Sequence, residues 1–337
     1  MTNLSHSLNT VGFSRRKQKI LVDFLDGENQ SRVYAWGAVS IPEHLVSEPI
    51  IRVEDGFLRS VGLGADLIRP ISWVFDDLGI YFDATRPSRL EHILNTTDFN
   101  PELISRANEL LGRIVSLGLS KYNLDSDGAQ ASLEKLPKGQ KVILVPGQVE
   151  TDASIALGSS EIKSNLALTQ LVRAHNPNAW IIYKPHPDVV AGIRQAGHGE
   201  SKVGLYCDEV IRHGNTIALI DQVDEVHTMT SLTGLEALLR GKKVFCYGLP
   251  FYAGWGLTID MANCSRRTRN LSLPELVAGA LIIYPRYCSL QGKGLISPEQ
   301  AITELAAMKT MTSSRQVRLA NYLKRQGLKV YSRLHNP

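Results

Sequence analysis

The sequence predicts an α/β protein built from two Rossmann-like domains that face one another across a cleft. Three observations lead there. Short apolar runs alternate with amphipathic stretches, the pattern of strands joined by crossover helices. A polar stretch at 120–140, containing Asp125-Ser126-Asp127-Gly128 and Pro137-Lys138-Gly139, divides the alternation in two. The 337 residues, 43% hydrophobic, supply enough apolar surface for two cores.

In the first half the strand candidates are 32–36, 50–53, 72–75 and 80–82. Pro87-Ser88-Arg89-Leu90-Glu91 opens a helix. A longer one follows at 101–118, with Leu103, Ala107, Leu110, Leu111, Ile114 and Leu117 on one face. The second half restarts with Val142-Ile143-Leu144-Val145 and breaks at Pro146-Gly147. Further strands are expected at 179–183, 216–219, 225–229 and 243–247, with helices near 163–174, 232–240 and 273–283. The tail 315–334 has helical periodicity. Leu319, Leu323, Val330 and Leu334 share one face, and Arg318, Arg325, Lys329 and Arg333 lie beside it, an amphipathic basic helix of the interfacial type. Docking on the protein's own body is the alternative, and Gly327 weakens the helix by about 1 kcal/mol relative to Ala. The expected organisation is a basic segment at 1–19, a first Rossmann-like domain at 20–135, a second at 136–304 and the basic tail at 305–337.

The net charge of +4 conceals a split. Residues 1–19 carry Arg15, Arg16, Lys17 and Lys19 without an acid, and 305–337 carry seven cations without one. Removing those eleven leaves 26 basic residues against 33 acidic ones, so the body is net −7. That argues against a nucleic-acid binder, whose positive field belongs on the folded body. It suggests basic ends that meet an anionic surface such as a membrane leaflet. No apolar run approaches the roughly 20 residues that span a bilayer, and the polar start does not read as a signal peptide. Cys207, Cys246, Cys264 and Cys288 have no CxxC spacing, so a reduced, cytosolic protein without disulfides or zinc is expected.

Four polar clusters sit at strand ends, where open α/β sheets bind ligands. Glu54-Asp55-Gly56 places two carboxylates side by side, where they repel; a solvated turn is the alternative. Gln148-Val149-Glu150-Thr151-Asp152 places an amide and two carboxylates after a Pro-Gly break. Carboxylates in a two-domain cleft suit glycosyl transfer, where one stabilises or traps a developing oxocarbenium ion. Helix capping by Thr151 or Asp152 is the competing reading. In Lys184-Pro185-His186-Pro187, flanking prolines fix a histidine beside a lysine, an arrangement that neutralises a phosphate. Thr230 and Ser231 open a helix whose N–H groups suit a phosphate, with Gly234 and Glu236 in its first turns. Glu236 is placed to reach ribose hydroxyls. Tyr252 and Trp255, in a Gly-rich aromatic loop, offer a stacking surface or a buried turn. The sequence has no GxxxxGK[ST], GxGxxG, HExxH or GxSxG, so ATP, NAD, metal and nucleophile-elbow sites are unsupported.

The runs RVEDGFLRSVGLG (52–64), GIYFDATRPSRLE (79–91), SKYNL (120–124), VILVPGQVETDASI (142–155), IIYKPHPDVVAG (181–192), DEVHTMTSLTGLEALLRGKKVFCYGLPFYAGWGLT (224–258) and LIIYPRY (281–287) resemble the KpsC family of capsule polysaccharide β-Kdo transferases. The likeness runs in order from about residue 13 to 290. The EVHTMTSL and GQVExDASI segments are most similar to that family's C-terminal catalytic module. The resemblance implies a GT-B-like fold and a retaining glycosyltransferase that moves Kdo (3-deoxy-D-manno-oct-2-ulosonic acid) from CMP-Kdo to a Kdo-terminated, phosphatidylglycerol-type glycolipid. The implied linkage is β-2,7, made in capsule linker biosynthesis at the cytoplasmic face of the inner membrane, beside other capsule assembly proteins. It also implies double displacement through an enzyme adduct. Many members read Glu-Asp-Asp where this chain has Glu150-Thr151-Asp152, which leaves Asp152 as the better nucleophile. Lys-Pro-His-Pro is similar to a motif of bacterial sialyltransferases, which also use a CMP-activated keto-sugar acid.

On this reading Asp152 attacks, Glu54 or Asp55 is the general base, and His186, Lys184, Thr230 and Ser231 stabilise departing CMP. Gln148, Glu150 and Gly234 join the donor site, Glu236 holds the ribose, Tyr252 and Trp255 line the cleft, and Arg59 meets the Kdo carboxylate. A donor with one phosphate needs no metal to bridge two, so no metal or other cofactor is expected. The alternatives are another CMP- or CDP-dependent transferase, sialyl- or glycerophosphotransferase-like, and a non-catalytic capsule export scaffold.

Overall fold

The computed structural model describes residues 8–27, 32–62, 68–123, 136–292 and 294–312. The tail helix expected at 315–334 lies outside them.

The second domain is the more regular. Its sheet is wholly parallel, in the order β10-β9-β8-β5-β6-β7, with β5 Val142–Pro146, β6 Trp180–Lys184, β7 Glu209–Val210, β8 Glu225–Thr228, β9 Lys243–Cys246 and β10 Ile259–Asp260. β5 is buried along its whole length, as a central parallel strand must be. Because all strands run one way, their carboxyl ends share one edge. The chain builds outward from β5 through β6 to β7, then returns to the other side of β5 for β8. The switch point therefore falls between β5 and β8, where such sheets take ligands.

The first domain has a mixed sheet, β1-β2-β3-β4-β11-β12. β1 (Thr10–Val11), β2 (Val33–Trp36) and β3 (Ile50–Asp55) are parallel. β4 (Ser72–Asp76), β11 (Pro285–Cys288) and β12 (Leu295–Ile296) then run antiparallel, each to its neighbour. Two expected boundaries therefore move. Residues 285–312, assigned by sequence to the second domain and the tail, belong to the first, because β11 pairs with β4 and the helix Pro298–Thr312 buries Ala301, Ile302 and Leu305. The cations of the basic start lie on the first helix, Arg15–Leu25, which buries Ile20, Leu21, Phe24 and Leu25. The boundary at residue 20 cuts through that helix.

Two further strand expectations fail. Thr216–Gln222 is a helix, started by Asn215 Oδ1, which accepts hydrogen bonds from the Ile217 and Ala218 N–H groups. Residues 80–82 form no strand. Tyr81 instead packs edge-on against Phe57 and Phe251, at 4.8 and 5.7 Å between centroids. Phe57 of the first domain stacks on Phe251 of the second at 4.2 Å, inside a core that runs unbroken through both domains.

Glu91, in the helix Arg89–Thr96, carries much of the polar connection between the halves. Its carboxylate takes Arg266 Nε at 2.7 Å and Arg267 Nε at 3.2 Å, and Arg267 also donates to the Pro250 and Ala253 carbonyls. Removing the acid leaves a buried guanidinium short of its counter-charge. Glu91→Ala is expected to cost about 3 kcal/mol, read from urea unfolding. A loss under about 0.5 kcal/mol would show the cluster to be energetically idle.

Candidate active site

A cavity of about 810 Å³ lies between the domains, at the carboxyl ends of β3, β5, β6 and β8. It gathers nine of the residues expected from sequence: Glu54, Asp55, Gln148, Asp152, Lys184, His186, Thr230, Ser231 and Glu236.

The first-domain wall separates the two adjacent acids. Asp55 is tied inside, accepting from Arg59 Nε at 2.6 Å and Trp73 Nε1 at 3.1 Å. Among the described residues, Glu54 accepts only from the Asp55 N–H, at 2.9 Å. Gly37, at φ +55°, leaves the space beside it; a Cβ there would lie 3.0 Å from Glu54 Oε2. Burial first, and the Asp55 charge second, push the Glu54 carboxyl up to about 7, against Lys121 and Lys17. A carboxyl titrating there is matched to general base work near neutrality. Of the two acids, Asp55 is the one committed to protein partners, and it acts on Glu54 as an electrostatic neighbour.

The second-domain wall is cationic. Lys184 is 9% exposed, and its Nζ donates to the Gly214 carbonyl at 3.0 Å. Burial lowers it to about 8, so it is charged at neutral pH but not far above. His186 caps the short helix Pro187–Val190, its Nδ1 accepting from the Asp188 N–H at 3.1 Å. The proton of the neutral ring is thereby assigned to Nε2, which can donate to an anion. Burial lowers this imidazole below its usual range, while Asp188 and Asp152 oppose that. Asp152 caps the helix Ala153–Gly158 with Oδ1, which accepts from the Ser154 N–H at 2.9 Å. Capping uses one oxygen, and among the described residues Oδ2 has no hydrogen-bond donor.

Other sequence expectations need correction. Gln148 lines the cavity, but its amide fastens the switch point: Nε2 donates to Thr230 Oγ1 at 2.9 Å, and Oε1 accepts from the Thr230 N–H at 3.0 Å. It positions Thr230, which leaves little of it for a ligand. Ser231 caps the helix Leu232–Leu238. Glu236 Oε1 accepts from the Lys121 N–H at 3.0 Å, and burial raises its pKa. Glu150 is outside the cavity, both oxygens being taken by the Asn165 and His198 N–H groups. Gly234, Tyr252 and Trp255 are structural too. A Cβ on Gly234 would overlap the Tyr252 hydroxyl, that hydroxyl donates to the Ser231 carbonyl, and Trp255 Nε1 donates to the Phe251 carbonyl at 2.8 Å. The buried-turn reading of the aromatic loop holds. Arg59 is spent on Asp55 and Ser60, so it is not the free cation expected for a carboxylate.

Sequence reasoning gave no role to Lys121, Arg194, Arg212 or Tyr81, all of which line the cavity. Lys121 belongs to the quoted SKYNL run but falls in the polar stretch between domains, where periodicity gives no signal. Among the described residues, no three His, Cys, Asp or Glu side chains are grouped to hold a metal ion, all four cysteines are free, and no helix is long and apolar enough to cross a membrane.

Residues 43–287 match the family model described as "Capsule polysaccharide biosynthesis protein". The chain is 48% identical over 290 residues to the capsule polysaccharide modification protein LipA of Neisseria meningitidis, a match covering 84% of this chain and 40% of that protein. It is 45% identical over 266 residues to the lipopolysaccharide-processing protein LpsZ of Rhizobium meliloti, covering 78% and 60%. The chain thus spans less than half the length of the curated LipA relative. Among solved structures it is similar to the β Kdo 2,7 transferase of Thermosulfurimonas dismutans KpsC, at 41% identity and TM-score 0.72. It is also similar to the β Kdo 2,4 transferase of the same KpsC, at 33% identity and TM-score 0.78. Each match covers 89% of this chain and 98% of the other.

Proposed function

The chain belongs to the capsule polysaccharide biosynthesis protein family, and on that premise we propose that it is a glycosyltransferase that moves Kdo from CMP-Kdo to a Kdo-terminated glycolipid. The observation that carries the proposal is the pairing across one cavity. Glu54, held near 7, lines the cavity from the first domain, and Asp152, Lys184 and His186 line it from the second. Likeness to two Kdo transferases over nearly their full length supports the donor class.

The reaction proposed is a double displacement with retention. Asp152 Oδ2 forms a bond to the anomeric carbon as the bond from that carbon to the CMP phosphate oxygen breaks. Charge leaving with CMP is met by Lys184 and by a hydrogen bond from His186 Nε2, with Thr230 and Ser231 beside them. One phosphate needs no bridging cation, so turnover is proposed to be metal-independent. The acceptor hydroxyl then passes its proton to Glu54 and displaces Asp152. The TM-score is higher for the 2,4 transferase, but linkage depends on the residues that line the acceptor site, so the higher identity to the 2,7 transferase is given more weight and supports a β-2,7 linkage. The acceptor is proposed to be an anionic phosphatidylglycerol-type glycolipid, met at the cytoplasmic face of the inner membrane alongside other capsule assembly proteins.

The test supplies CMP-Kdo generated in situ and a synthetic Kdo-glycoside, with and without EDTA, and analyses the product by mass spectrometry and NMR. The expected result is CMP release unaffected by EDTA and one added β-Kdo at O7. Addition at O4 would correct the linkage alone. Absence of CMP release, with CDP released from CDP-glycerol instead, would move the chain to the glycerophosphotransferase class.

A further inference from the structure

Both proposed substrates are anionic, and the cleft still lacks an assigned cation for the carboxylate that every ulosonic acid carries. Arg59 is excluded by its bonds to Asp55 and Ser60. Lys184 serves the phosphate side, at the end of β6. We propose that Lys121 is the specificity residue that binds the donor carboxylate, an assignment that rests on the Kdo-transfer reading above.

Arg194 and Arg212 also line the cavity, but both belong to the second domain, and three features favour Lys121 over them. The first is anchorage. The Lys121 backbone is fixed between the domains, its N–H donating to Glu236 and its carbonyl accepting from the Arg59 and Ser60 N–H groups at 3.1 and 3.2 Å. The second is an uncommitted ammonium. Among the described residues, Lys121 Nζ makes no hydrogen bond or ion pair. Its nearest recorded partner is the Tyr122 ring, 5.4 Å away at the centroid. Glu54 and Asp55 within electrostatic range keep the ammonium charged, while its N–H donors stay open to a ligand anion. The third is position. Lys121 interacts electrostatically with Glu54 and Asp55 on one wall and with His186 on the other. In an activated 2-keto sugar acid the carboxylate is attached to the reacting carbon itself. That carbon must lie between the base and the leaving phosphate, so its carboxylate lies where one cation reaches both walls. An acceptor carboxylate would lie on the Glu54 side only.

The experiment compares Lys121→Met and Lys121→Arg with wild type in CMP release and in CMP binding. For Lys121→Met, KM for CMP-Kdo is expected to rise on the order of 10- to 100-fold, the cost of one charge-assisted contact. CMP itself lacks the carboxylate, so its inhibition constant should stay within about 3-fold, which also shows that the site is folded. The acceptor KM should likewise hold, and Lys121→Arg should recover part of the donor affinity. A rise in acceptor KM in place of donor KM would overturn the assignment and give the lysine to the acceptor. So would equal weakening of CMP and CMP-Kdo, or unchanged kinetics. Wild type that binds CMP yet never releases it from CMP-Kdo would sink the Kdo-transfer reading itself, and the lysine's role with it.

Discussion

Asp152→Asn is expected to lower kcat on the order of 10³-fold or more while leaving the fold intact. The amide keeps an oxygen that can accept the Ser154 N–H, so the helix Ala153–Gly158 retains its cap. What it lacks is a second carboxylate oxygen able to bond the anomeric carbon. Losses of this size follow removal of a covalent nucleophile. Asp152→Ala confounds the two roles, because it also removes a cap worth about 1 kcal/mol. The measurement is single-turnover CMP release, with intact-protein mass spectrometry of enzyme given donor alone. Wild type should gain one Kdo residue and the Asn variant none. An Asn variant within tenfold of wild type would leave Asp152 as a helix cap only.

Glu54→Gln is expected to lose about 10²- to 10⁴-fold in turnover, the range of general base catalysis. Wild-type activity should rise with pH through about 7, as Glu54 loses its proton. It should fall again through about 8, as Lys184 loses the charge that meets the phosphate. In the Gln variant the lower limb disappears and the upper one stays. Stability moves the opposite way. A carboxyl raised from 4.5 to about 7 by folding binds its proton more tightly in the native state than in the unfolded chain. Native stability from this group therefore declines as pH rises from 4.5 to 7, and the ionised form is a burden above that. At pH 8 the Gln variant should be more stable than wild type by up to about 3 kcal/mol. At pH 4.5 the two should nearly coincide. Equal stability at both pH values would show that Glu54 titrates as an ordinary carboxyl.

The second domain was legible because buried parallel strands read as unbroken apolar runs. β5 and β6 are within a residue of expectation, and the polar residues after them identify the cavity. The failures share a cause, which is tertiary context. Thr216-Ile217-Ala218-Leu219 is apolar enough for a strand, but the cap supplied by Asn215 commits it to a helix. Ile80-Tyr81-Phe82 is apolar because it serves the aromatic contact between domains, not a sheet. In the site, residue type was a better guide than residue role. Glu150 and Arg59 carry the right charge near the right strand ends, yet each is consumed by a neighbour that only the folded chain brings close. Lys121 is the reverse case, a cation in a loop without pattern that folding delivers to the cleft.

The pairing of β4 with β11 has a consequence for synthesis. Tyr284 donates to Asp76 across a sequence separation of 208 residues, and β11 covers the side of β4 away from β3. As the chain leaves the ribosome, the first sheet has an open edge at β4 throughout translation of the second domain. At roughly 5–20 residues per second that interval lasts on the order of 10–40 s, long enough for an unpaired strand to find a foreign partner. The all-parallel second sheet, complete by Asp260, is ready well before the first can close. The domain begun second is thus the one positioned to finish first, and the nascent first domain is where a chaperone would be most needed.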